Sequence, residues 1–89
     1  MSRTDRLETL SDREREVLFA VALDKTDREV ARLLGIRERT VRAHVSRIIL
    51  KLGVKSRVGA AVLFTERQAF SRERSIRATQ PAQGGTFVE

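Results

Sequence analysis

The sequence predicts an all-α domain of four helices with a helix-turn-helix at its centre and a disordered C-terminal tail. Three observations predict it. No stretch alternates apolar and polar residues with period two over a useful length, so strands have no signal. Two capping boxes, SDRE at 11–14 and TDRE at 26–29, each open a run of helical apolar spacing. Two of the helical runs are separated only by Gly35, Ile36 and Arg37, the short glycine-bearing turn of a helix-turn-helix.

The first helix starts at the Ser11 cap, with Glu14 reaching back, and runs to about Leu23. Val17, Leu18, Val21 and Ala22 share one face, with Phe19 and Leu23 nearly opposite. The second helix is capped by Thr26, turns Val30, Leu33 and Leu34 inward and stops at Gly35, a residue suited to a left-handed C-terminus. The third runs from about Glu38 to Leu52 on a stripe of Val41, Val45, Ile48, Ile49 and Leu52, and Gly53 ends it. The fourth runs from about Ser56 to Phe70 and is apolar on two sides. Val58, Ala61, Val62 and Ala69 are assigned to the core. Ala60, Leu63 and Phe64, beside Arg67, are assigned to a homodimer contact. The bland alternative is a helix buried over a broad arc. Residues 1–10 read as an N-terminal arm, 11–70 as the domain, and 71–89 as a frayed helix end and flexible tail rich in small, polar, Gly and Pro residues.

Eighteen Lys+Arg against 12 Asp+Glu give 89 residues a formal charge of +6, which favours an anionic partner. An acidic membrane surface fits poorly, because the third helix spends its bulky apolar residues on the core. No apolar run is long enough to cross a bilayer, and residues 1–10 lack a signal-peptide core, so the chain is expected to stay in the cytoplasm. No cysteine and no paired carboxylates accompany the lone His44, and Ser46 has no base arranged for it. The chain is therefore expected to be no enzyme and to carry no metal or cofactor.

Charge is segregated. From 39 to 57 the chain holds Arg39, Arg42, Arg47, Lys51, Lys55 and Arg57 and no Asp or Glu. The face of the third helix opposite its core stripe carries Arg39, Ala43, Ser46, Arg47 and Leu50, with Arg42 on the flank. Small side chains permit close approach to base edges. Arginine offers a planar fork for guanine or for phosphate. The expected partner is double-stranded DNA, read in the major groove by residues 38–52.

Together LSDREREVL, TDREVARLLGIRERTVRAHVSRIILKLGVKSR and AAVLF resemble the LuxR-type (NarL/FixJ) DNA-binding output domain over about residues 10 to 70. Each piece is weak alone; in this order and spacing they are specific. The resemblance implies a homodimeric bacterial transcription regulator associated with the nucleoid. It implies that Arg42, Ala43 and Ser46 face base edges, joined by Arg47 from the helical face. It also implies that Thr26, Thr40, Lys55 and Arg57 touch phosphates, to which the exposed face adds Arg39. Four departures stand out. Arg37 occupies a position often held by a capping Ser or Thr and is free to reach a phosphate instead. Asp24 replaces a turn glycine, Gly59 a common acid that would strengthen the fourth helix, and Leu50 a usual charge. Only ten residues precede the match, so a stand-alone regulator and a piece of a longer one both remain open. RNA polymerase or a regulatory protein is a further candidate partner. Two rivals are a protein-binding adaptor without DNA readout, to which the Phe19/Leu23 pair lends some support, and a module like region 4 of a sigma factor. Cover of Phe19 and Leu23 from within the chain, by Leu7 or by Ile76 and Phe87, is favoured over a partner.

Overall fold

A computed structural model describes residues 4–69. A 3-10 helix, Thr4–Thr9, leads into α1 (Asp12–Ala22), α2 (Asp27–Leu34) and α3 (Glu38–Leu52). A further helix, α4, runs from 57 to the end of the described residues at 69. The assigned tail, 71–89, and residue 70 lie outside them. No strand occurs among the described residues.

Local chemistry sets the boundaries. Both capping boxes form. Glu14 N–H donates to Ser11 Oγ at 3.1 Å and Ser11 N–H to Glu14 Oε1 at 2.9 Å. Glu29 N–H donates to Thr26 Oγ1 at 3.1 Å and Thr26 N–H to Glu29 Oε1 at 2.8 Å. Each box satisfies helix-end N–H groups that would otherwise lack partners. Gly35 and Gly53 stop α2 and α3 at φ +67° and +68°. Asp24 supports the left-handed turn after α1 at φ +65°, as its short polar side chain allows. Arg37 opens α3 in extended conformation and makes no side-chain cap.

The core gathers Val17, Leu18 and Val21 of α1, Val30 and Ala31 of α2, and Val41, Ile48 and Leu52 of α3. Three expectations need correction. Leu33, expected inside, is 64% exposed, and Ala31 is buried in its place. The stretch expected to be an arm is a docked element: Leu7 and Leu10, three residues apart, both enter the core. A 3-10 turn brings residues three apart onto one line, so their spacing carried the signal. The faces of α4 are also exchanged. Ala60 and Leu63, assigned to a dimer contact, are 2% and 4% exposed in the protomer's own core, whereas Val58 and Val62, assigned to the core, are 69% and 50% exposed. Leu63 joins the core cluster, and Phe64 packs against it and lines a cavity with Leu7 and Leu10. Arg67 stays half-buried at the edge, donating to Glu8 at 2.8 Å. Gly59 also has a packing reason, since a Cβ there would lie 3.2 Å from Val54 Cβ.

One polar contact spans the bundle. The Glu14 side chain, only 5% exposed, accepts from Lys51 Nζ at 2.8 Å while closing the α1 capping box. Lys51 also reaches Thr9 O at 3.4 Å, and Arg6 lies over Gly53 and donates to Leu52 O at 3.5 Å. Burial pushes the Glu14 carboxyl up. The Lys51 ammonium and the Ser11 donors outweigh burial and leave it below its ordinary 4.5. A depressed carboxyl stabilises fully above its unfolded value, and that stabilisation is lost as pH falls through the folded value. Glu14→Gln should therefore cost about 1–3 kcal/mol at neutral pH. The loss of stability of the native chain below pH 4.5 should be shallower in the variant, as read from denaturant midpoints along a pH series.

Candidate nucleic-acid interface

The α2 and α3 helices meet through Gly35, Ile36 and Arg37, and Ile36 N–H closes the turn on Ala31 O at 3.0 Å. This turn presents α3 with its stripe inward: Val41, Ile48 and Leu52 are buried, Val45 and Ile49 half-buried. The opposite side is open. Arg39, Arg42, Ala43, Ser46, Arg47 and Leu50 are all exposed, and Thr40 is half-buried. His44 sits between the two sides, half-buried, with Nδ1 buried and without a hydrogen-bond partner among the described residues. That burial fits a packed residue.

The cations do not all share one state. Lys51 is committed to Glu14. Arg57 is committed to the N-terminus of α2, where its guanidinium pairs with Asp27 Oδ1 and donates to Lys25 O at 3.1 Å. Arg42 lies 3.8 Å from Glu38 one turn earlier, but both side chains are about half exposed, so the pairing is loose. Arg37, Arg39, Arg47 and Lys55 make no ion pair among the described residues and are exposed. The apparent absence of acids along 39–57 thus overstated the free charge. Glu38 stands just outside that window, and Glu14 and Asp27 come from other helices, 37 and 30 residues away.

Of the other candidate positions, Thr26 is exposed with its hydroxyl accepting the α2 cap. The Arg57–Asp27 pair holds the start of α4 against the start of α2, which brings Thr26 and Lys55 toward the same end of the domain. The outward side of α4 forms an open groove of about 700 Å³ with the end of α1, lined by Val21, Ala22, Val58, Ala61, Val62 and Thr65 among others. Phe19 is partly covered by Phe64, whose ring meets it edge-on at 6.0 Å, and Leu23 is exposed.

The model of the family described as bacterial regulatory proteins, luxR family, matches residues 8–64, from within the N-terminal 3-10 helix to Phe64. The chain belongs to this family. Its helix-turn-helix lies within the matched residues, and its relatives include transcriptional and response regulators. It is 54% identical over 52 residues to the transcriptional regulatory protein TdiR of Thauera aromatica, covering 58% of this chain and 23% of that protein. It is 36% identical over 64 residues to the nitrate/nitrite response regulator protein NarP of Escherichia coli, covering 72% of this chain and 30% of that one. It is 51% identical over 53 residues to the spore germination protein GerE of Bacillus subtilis, covering 60% of this chain and 72% of that protein. The luxR-family unit is thus a minor part of the first two relatives and most of the third. Among the described residues no helix is long and apolar enough to cross a membrane.

The Arg57 geometry separates holding the domain together from gripping a partner. Arg57→Met should lower stability by about 1 kcal/mol, and Asp27→Asn by a similar amount. The double variant should cost less than the sum, measured as a double-mutant cycle of urea midpoints.

Proposed function

We propose that this chain is a sequence-specific double-stranded-DNA-binding transcription regulator that acts on the nucleoid in the cytoplasm. The reading face is the exposed side of α3. The observation that carries it is the coexistence there of small residues, Ala43 and Ser46, with the exposed forks of Arg39, Arg42 and Arg47. Small residues let the helix sink into the major groove, and arginine recognises guanine O6 and N7 bidentately. Arg42, Ala43, Ser46 and Arg47 face base edges. Arg37, Arg39 and Lys55 hold phosphates, and Thr26 and Thr40 add hydroxyl donors. The N-terminus of α2 favours a phosphate at Thr26. Arg57 serves the same end indirectly by fixing α4 against α2. Two protomers pair through the outward side of α4 at Val58, Ala61 and Val62, because Ala60 and Leu63 are already occupied.

Arg42→Ala should weaken binding to a selected duplex by about 1–3 kcal/mol and weaken binding to random duplex less. An equal loss on both would reduce Arg42 to a phosphate contact. With three or four phosphate-bound cations per protomer, log affinity should fall with log salt at a slope of about −3 per protomer. Selection from random duplexes should return inverted repeats, and Val62→Glu should abolish the cooperative step on them while leaving binding to a single half-site. Retention on no duplex, alongside capture in a stable protein complex, would select the adaptor reading instead.

A further inference from the structure

Leu50 is 81% exposed, more than any other large apolar side chain among the described residues. Its place is not arbitrary. Seven residues after Ala43, it returns to within about 20° of the same helical direction. It therefore lies on the midline of the exposed side, between the directions of Ser46 and Arg47. The core stripe does not need it: Ile48 and Leu52 are buried and Ile49 half-buried without its help. Its exposed neighbours one step or one turn away on α3 include Ser46, Arg47 and Lys51, so among the described residues of this helix face it stands as a single large apolar side chain. An isolated leucine on a cationic ridge suits a partner that presents an apolar group within a polyanion. In a duplex, that group is the C5-methyl of thymine in the major groove.

Resting on the DNA-reading role of α3, we infer that Leu50 is a specificity-determining residue that recognises a thymine methyl group. Along the helix, Leu50 is about 10 Å beyond Ala43. Its thymine is therefore a different one from any base that Ala43 approaches. The contact carries no charge. It adds discrimination between sequences and leaves the salt dependence unchanged.

The test uses the full chain and a duplex chosen by selection. Each thymine is replaced singly by deoxyuridine, which removes only the methyl group, and affinity is read by fluorescence anisotropy for the native chain and for Leu50→Ala. One methyl withdrawn from an apolar contact should weaken the native chain about three- to fivefold at one thymine of each half-site. Leu50→Ala should bind the thymine and uracil versions of that position equally while keeping the native response at every other thymine. The inference fails if Leu50→Ala keeps the full methyl response, or if it weakens binding to every duplex by the same factor, which would assign Leu50 to sugar packing or to a protein contact. Failure of the native chain to bind any duplex would remove the DNA-reading role itself, a result distinct from binding without methyl dependence.

Discussion

The architecture depends on one buried carboxylate. Glu14 closes the cap of α1 and in the same geometry holds Lys51 near the end of α3. Two elements far apart in sequence are thereby fixed in angle and register. A carboxylate this buried is tolerated only because its lone pairs are taken up by donors, including a charged one. The docked 3-10 helix completes the arrangement from the same end: Arg6 and the Thr9 carbonyl close over the end of α3. These contacts hold the C-terminal end of α3, while Val41 seats its N-terminal turns in the core and leaves Arg39, Arg42 and Ala43 on the open side.

What the sequence made legible was local chemistry. Ser11, Thr26, Gly35 and Gly53 each act through their immediate neighbours, and their spacing located the helix ends to within a residue. The stripe on α3 was equally legible, because its exposed side is polar enough to leave one choice. Failures came where the choice was not local. The α4 helix offers two apolar arcs, and periodicity cannot rank them. The protomer's own core took Ala60 and Leu63, with Phe64 packed against it. On α2, an eight-residue helix, Leu33 and Ala31 competed for the interior and the smaller residue took it.

The candidate site shows the same division. Which positions of α3 face outward followed from a period of 3.6. Which cations were spent did not, since Glu14 and Asp27 approach Lys51 and Arg57 from other helices. Along 37–57 the unengaged charge is therefore smaller than the sequence suggested, and it rests on Arg37, Arg39, Arg47 and Lys55 among the described residues. A protein that binds a polyanion gains from this partition. Cations spent inside hold the scaffold together, and those left outside remain available to a polyanion, whose released counterions offset the water they give up.

The outward side of α4 has a consequence for how copies meet. A helix that turns apolar groups both inward and outward leaves little room along its length for solubilising charge. Dispersal in water then falls to the chain's surplus of +6, which makes every copy repel its twin. On the proposed reading, a strand of opposite sign would cancel that surplus and release the brake on self-association at the moment of capture. Encounter and pairing would then form a single linked equilibrium, governed by the ionic surroundings as much as by the fit of the two helices.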